Sequence, residues 1–212
     1  IEGCSGGGGR FDAGMMYYTP QIWCSDNTDA VDRIRIQYGT SFLYPISTVG
    51  SHVSAVPNHQ TGRSTSLHTR GVVAMAGTFG YELDPAKLTE EEKEEVKEQI
   101  RKYKRHAELI RKGDYYRLSN PFKDAYAAWE FLSEDGSRVL LHVVMLEIHG
   151  NMPVNYVKLK GLKRDALYED GGTGKRYYGC ALMEAGMPMP MVSGEYAACE
   201  VELIMVQEAD AD

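Results

Sequence analysis

The chain has 212 residues, enough for one large domain or one and a half ordinary ones. Its formal net charge of -7 argues against a nucleic-acid-binding protein, because such proteins favour basic surfaces, and no apolar run approaches the roughly 20 residues that a membrane helix needs. The four cysteines form no CxxC pair. We therefore expect free thiols in a reducing, cytoplasmic compartment and no zinc site.

The first 112 residues or so alternate short apolar runs, glycine-rich or polar loops and helical stretches, a rhythm typical of βα units. We predict strands at residues 18–24, 44–49 and 72–79. A helix with Val31, Ile34 and Tyr38 on one face should follow the first strand.

A capping box at Thr89 and Glu92 predicts the start of a long helix. Gly113 supplies its expected stop. One buried stripe should run along this helix, formed by residues spaced three and four apart. These residues are Val96, Ile100, Tyr103, Ala107 and Ile110.

From residue 113 onward, strand-like runs separated by turns predict an antiparallel β domain. We expect strands at 126–132, 139–148, 156–159 and 195–206, and a hairpin turn at 134–137. Prolines 188 and 190 argue against a strand interior at residues 187–190, because proline cannot donate to a ladder.

Two segments could carry chemistry. Four consecutive glycines, residues 6–9, allow close backbone approach to a ligand, although a flexible loop fits them equally and no Lys-Ser/Thr pair follows as in a P-loop. The second segment surrounds Asp26, whose neighbour Trp23 could form a platform for a sugar. From the pattern alone the commoner interpretation is that Asp26 or Asp29 caps the next helix.

Ser51 and His52 suggest a hydrolase triad, but no G-x-S-x-G elbow accompanies them. We therefore interpret His52 and His59 as hydrogen-bonded loop residues. A metal site would need three or four ligands that no spacing in this chain assembles.

Several motifs together resemble glycoside hydrolase family 36, the retaining α-galactosidases. The motifs lie in order along the chain and the likeness is sharpest before about residue 85. They are Cys4-Ser5-Gly6-Gly7-Gly8-Gly9-Arg10-Phe11-Asp12, Tyr17-Tyr18-Thr19-Pro20-Gln21-Ile22-Trp23-Cys24-Ser25-Asp26-Asn27-Thr28-Asp29-Ala30, Ile36-Gln37-Tyr38-Gly39-Thr40-Ser41, His52-Val53-Ser54-Ala55-Val56-Pro57-Asn58 and Phe79-Gly80-Tyr81-Glu82-Leu83-Asp84.

The resemblance implies an α/β region, the second half of a (β/α)8 TIM-type barrel over residues 1–112, followed by an antiparallel β-sandwich-like domain over residues 113–212. It implies hydrolysis of α-galactoside oligosaccharides such as melibiose and raffinose, without metal or cofactor, by an enzyme that forms homo-oligomers. Asp26 would be the general acid/base. Cys4 and Gly6, with Trp23, would line the galactose subsite.

The family's nucleophile lies in a Lys-x-Asp-type motif on an earlier barrel strand, and residues 1–112 contain no such motif, so we expect the nucleophile upstream of Ile1 and expect the isolated chain to be inactive. Related α-N-acetylgalactosaminidase or transglycosylation activity stays open. So does a non-catalytic carbohydrate-binding or assembly role. A thiol hydrolase using Cys4 or Cys24 is a further, weaker alternative.

Overall fold

A computed structural model of the protein describes residues 1–4, 6–9, 11–151, 154–189 and 194–206. The chain forms two compact units, Ile1–Arg111 and Lys112–Asp212. Among the described residues, every helix is too short or too polar to cross a membrane. Ser5 and Arg10 of the glycine-rich motif, and Pro190, lie outside the described residues.

The first unit combines short parallel strands with helices. Its strands pair in parallel, β1 with β2 and β3 with β4, and a parallel bridge between Ile22 and Val49 joins the two pairs. The elements in chain order are β1 (Glu2–Gly3), α1 (Ala13–Tyr18), β2 (Gln21–Ile22), α2 (Ala30–Thr40), β3 (Gly50–Ser54), α3 (Leu67–Ala74), β4 (Thr78–Glu82) and α4 (Glu90–Lys112).

The three strands predicted in this unit are wrong in extent or position. The strand expected at 18–24 contains only Gln21–Ile22, preceded by α1, which the sequence did not predict. Residues 44–49 instead include a 3₁₀ turn, Ile46–Thr48, after Pro45, and the strand begins at Gly50. Residues 72–74 belong to α3, whose N-cap Ser66 accepts a hydrogen bond from the Thr69 amide. Short apolar runs do not distinguish a buried helix turn from a strand, which explains these errors.

The capping box that begins α4 is confirmed. The Glu92 amide donates to Thr89 Oγ1 at 3.2 Å, and the Thr89 amide donates to Glu92 Oε2 at 2.9 Å. Of the predicted stripe only Ile110 is fully buried, whereas polar Gln99 is buried and was missed. Gln99 donates to the Leu67 carbonyl at 3.0 Å, so a buried polar contact fixes the helix on α3.

The second unit is built on a six-stranded antiparallel sheet with the strand order β10-β9-β12-β7-β6-β5. A two-stranded pair, β8 with β11, and the short helix α5 contribute to the core on one face of this sheet. The elements are β5 (Asp114–Arg117), β6 (Tyr126–Leu132), β7 (Arg138–Met145), β8 (Tyr156–Val157), β9 (Leu167–Asp170), β10 (Arg176–Tyr178), α5 (Gly179–Glu184), β11 (Met187–Pro188) and β12 (Ala198–Val206).

The hairpin between β6 and β7 is confirmed, and Gly136 in its turn has a φ of 71°. Strands β5, β9, β10 and β11 were not predicted. β11 ends at Pro188, so this proline lies at the end of a two-residue strand and not in a strand interior. The core of this unit includes Leu141, Tyr168 and Leu203, each at most 1% exposed. The acidic side chain of Glu130 is fully buried in β6, an exception to the usual exposure of carboxylates.

Candidate active site

The ends of β1 and β2 bring the predicted site residues to one edge of the first unit. The two strands are parallel, and the Trp23 amide just beyond β2 donates to the Gly3 carbonyl at 2.8 Å. Cys4 directly follows β1, and Asp26 lies four residues after β2. Since parallel strands end at the same edge of a sheet, both residues leave it on the same side. In α/β folds this carboxyl edge is where ligands bind.

The glycine run forms a turn that packs against the segment carrying Asp26. A Cβ atom on Gly7 would lie 3.0 Å from both the amide nitrogen and Oδ2 of Asp26, and one on Gly8 would lie 2.6 Å from the Cα atom and carbonyl oxygen of Cys24. Both glycines also have positive φ angles, +66° and +79°. Only glycine fits such positions without strain. Gly6, the glycine that the sequence singled out, has no atom within 4 Å of an added Cβ.

The cap of α2 is Asp29 and not Asp26. Asp29 is buried, and its Oδ1 accepts hydrogen bonds from the amides of Val31 and Asp32, both at 3.0 Å. It also forms an ion pair with Arg63. Asp26, in contrast, is exposed, and within the described part of the chain its carboxyl group has no hydrogen bond or ion pair. The capping role therefore belongs to Asp29, and among the described residues the Asp26 carboxyl is engaged by no other group.

The backbone after Asp26 is fixed by the last residue of β3 and by the loop that follows it. The Ser54 hydroxyl donates to the Thr28 carbonyl at 2.8 Å, and the Asn58 amide group donates to Thr28 Oγ1 at 3.1 Å. The Thr61 hydroxyl donates to Asp29 Oδ2 at 2.9 Å. Thr28, Ser54 and Asn58 are all buried. These contacts hold the downstream side of Asp26 in one position.

Trp23 stacks against His52 of β3, with ring centroids 4.7 Å apart and the planes inclined by 34°. Gly80 of β4 makes room for this histidine, because an added Cβ there would lie 2.8 Å from the ring of His52. His52 Nδ1 lies 3.9 Å from Glu82 Oε2. The Ser51 hydroxyl donates instead to Gln37 Oε1 at 2.7 Å, so Ser51 and His52 do not form the nucleophile–base contact of a triad.

A cavity of about 320 Å³ opens beside these strands. It contains two of the four predicted site residues, Cys4 and Trp23, but neither Gly6 nor Asp26. Its acidic residues, Glu2 of β1 and Glu82 of β4, were not predicted as site residues. The lining residues are Glu2, Cys4, Trp23, His52, Tyr81 and Glu82. Among the described residues, no three histidine, cysteine or acidic side chains are grouped as metal ligands.

Two family models match the chain. The model described as Melibiase matches residues 1–113, and the model of the glycosyl hydrolase family 36 C-terminal domain matches residues 126–203. The chain is also 59% identical over 209 residues to the bifunctional α-galactosidase/sucrose kinase AgaSK of Mediterraneibacter gnavus. That alignment covers 99% of this chain and 22% of the relative.

Solved structures agree with the sequence matches. A variant of the family 36 α-galactosidase AgaA from Geobacillus stearothermophilus, in complex with raffinose, superposes with a TM-score of 0.94 and 52% identity. A second AgaA variant, in complex with stachyose, gives a TM-score of 0.93 and 53% identity. Each match covers 97% of this chain and 28% of the solved chain, so the chain spans less than a third of its relatives' length. The chain belongs to glycoside hydrolase family 36.

Proposed function

We propose that this chain is part of an α-galactosidase that removes terminal non-reducing α-D-galactose from oligosaccharides such as melibiose and raffinose, and that Asp26 is its general acid/base. The observation that carries the proposal is the exposed Asp26 carboxyl at the carboxyl edge of parallel strands, packed against a turn that only glycines fit. The family membership and the raffinose and stachyose complexes of AgaA variants support the substrate class.

We assign residues 1–112 to the second half of a (β/α)8 barrel and residues 113–212 to a C-terminal, sandwich-like β domain. The parallel succession of β1 to β4, with helices between them, supports the barrel assignment. The six-stranded antiparallel sheet, with the β8–β11 pair on one face, supports the assignment of the second domain. The active-site edge of such a barrel is the carboxyl edge of its strands.

A retaining glycosidase needs two carboxyl groups about 5–5.5 Å apart. In our proposal Asp26 protonates the leaving glycosidic oxygen while the second carboxylate attacks the anomeric carbon. Asp26 then removes a proton from the water that hydrolyses the glycosyl-enzyme. Residues 1–112 lack the family's Lys-x-Asp-type motif, so we propose that the nucleophile lies in another part of the full-length enzyme. This chemistry requires neither a metal nor a cofactor.

We further propose that Cys4, Gly6 and Trp23 contribute to the galactose subsite. Support is strongest for Cys4 and Trp23, which line one cavity. The aromatic face of Trp23 suits the apolar face of a sugar ring. The four free thiols fit a reducing, cytoplasmic location, and we expect the whole enzyme to form homo-oligomers.

The test is the replacement of Asp26 by alanine in the full-length enzyme. Cleavage of melibiose requires protonation of a poor leaving group, whereas a 4-nitrophenyl α-galactoside has a leaving group that needs little help. We expect kcat/KM for melibiose to fall by about 10²–10⁴-fold and that for the aryl substrate to fall much less. Asp165→Ala, an exposed carboxyl of the second unit, is the control. Unchanged melibiose turnover by Asp26→Ala would refute the assignment.

A further inference from the structure

We propose that Arg33 is a positioning residue for Asp26, holding the backbone before the carboxyl in the place where a proton can be transferred to the leaving oxygen. This inference rests on the proposed function. Arg33 lies in the first turn of α2 and is 2% exposed, yet it forms no ion pair with a carboxylate in the described residues. A buried guanidinium without such a partner calls for an explanation.

The strand ladder ends before it reaches Asp26. In the described part of the chain, β2 pairs with β1 at Gln21 and Ile22, and the bridge between Ile22 and Val49 is its one backbone link to the start of β3. Beyond Ile22, the described residues provide no backbone hydrogen bond between residues 23–26 and β3. The segment that leads to Asp26 is therefore held to β1 through the Trp23 amide but is not held to β3 by backbone pairing.

Arg33 bridges this gap with one rigid group. Its Nη2 donates to the carbonyl of Gly50, the first residue of β3, at 2.9 Å, and its Nη1 donates to Cys24 Sγ at 3.2 Å. Its Cζ lies 4.4 Å from the ring centroid of Trp23, over the ring. The guanidinium thus contacts β3 and the two residues that follow β2. The planar, forked geometry that makes these three contacts together is specific to arginine.

The two sides of Asp26 depend on different contacts. Downstream, Thr28 and Asp29 are fixed by the loop after β3 and by the cap of α2. Upstream, the contacts of Arg33 fix Cys24, two residues before Asp26. The carboxyl itself has no partner in the described residues, so its position follows from the backbone on either side. A shift of about 1 Å in a reacting group can cost about 10²-fold in rate, so loss of the upstream contacts should be visible in kinetics.

The experiment compares Arg33→Met and Arg33→Lys with the parent full-length enzyme. The quantity measured is the ratio of kcat/KM for a 4-nitrophenyl α-galactoside to kcat/KM for melibiose. The concentration of active enzyme cancels in this ratio, so partial unfolding does not change it. Arg101→Met removes an exposed arginine from α4 and serves as the matched control.

If Arg33 positions the acid, melibiose cleavage falls more than aryl cleavage. We expect the ratio to rise about tenfold in Arg33→Met, less in Arg33→Lys because lysine retains the charge but not the fork, and not at all in Arg101→Met. Equal losses for both substrates, or no loss, would overturn the inference. If Arg33→Met yields no folded protein, the same kcat/KM ratio measured for Arg33→Lys and Cys24→Ala tests the positioning role.

Asp26→Ala, measured in parallel, separates the inference from the function on which it rests. If Asp26→Ala raises the ratio and the Arg33 variants do not, only the positioning role is wrong. If Asp26→Ala itself leaves the ratio unchanged, the acid/base assignment is wrong and the positioning role is overturned with it.

Discussion

The first unit has strands of two to five residues, whereas β12 in the second unit has nine residues and pairs with β7 over seven of them. Cys4 and Asp26, which follow short parallel strands, are exposed, while nearly every residue of β6 and β7 is buried. The two units therefore differ in what their strands do. Residues that follow the short parallel strands are available to form a site, whereas the residues of the long antiparallel strands pack into the core.

The largest expected effect is on stability, from the core of the second unit. Leu141 is 0% exposed in β7. Leu141→Ala should lower the free energy of unfolding by about 2–5 kcal/mol, because it leaves a cavity in a packed core. Thermal and urea unfolding of the full-length enzyme would measure this, with exposed Ile204→Ala as the control. Leu141→Ala should leave unchanged the ratio of kcat/KM for the aryl galactoside to kcat/KM for melibiose. A change in this ratio would contradict the separate roles of the two units.

The next effect is on activity, from the glycine turn of the first unit. Gly8→Ala should lower kcat/KM for melibiose about 100-fold, because the new Cβ would displace the Cys24 backbone that leads to Asp26. Gly174→Ala is a close control, since Gly174 also has a positive φ, +69°, but an open environment. Equal activity of the Gly8 and Gly174 variants would show that the turn does not support the site.

A smaller effect, on the free energy of unfolding, should distinguish the carboxyl group of Asp29 from that of Asp26. Asp29→Ala removes the cap of α2 and leaves Arg63 without its buried carboxylate, which should cost about 2 kcal/mol of stability. Asp26→Ala should change stability by less than about 0.5 kcal/mol, since the group is exposed. Urea unfolding of both variants tests the contrast, which fails if Asp26→Ala is the more destabilising change.

The last expected effect depends on pH and comes from Glu130. Burial raises its pKa from 4.5 to about 8, while Oε1 accepts a hydrogen bond from the Lys160 amide at 2.7 Å. Because the folded state retains this proton longer than the unfolded state does, the associated stability is complete below about pH 4.5 and is lost as pH rises through about 8.

Glu130→Gln keeps an acceptor for the Lys160 amide but cannot ionise. We expect it to flatten this part of the pH dependence and to be the more stable form at pH 8, by about 1–3 kcal/mol. Unfolding curves of both proteins between pH 5 and about pH 9 provide the measurement. A parent protein whose stability does not decline relative to Glu130→Gln over this range would contradict the expected ionisation.

Local signals predicted local structure well. The capping box of α4 and the turn at Gly136 depend on contacts within a few residues, and both are confirmed. The strand expected at 72–79 was misplaced because Val72 and Val73 are buried by tertiary packing, and burial makes a helix turn and a strand equally apolar. The buried Gln99 was missed because its partners, Leu67 and Tyr81, are distant in sequence.

The sequence by itself determined the family, through long ordered motifs, and it limited the capping residue of α2 to Asp26 or Asp29. Only the tertiary structure decided between them, because the choice depends on the direction of the backbone and on partners such as Arg63, which is 34 residues away. It also decided which glycines meet the Asp26 segment. An added Cβ clashes at Gly7 and Gly8 and not at Gly6, and that difference arises from Cys24 and Asp26 in the segment beyond β2.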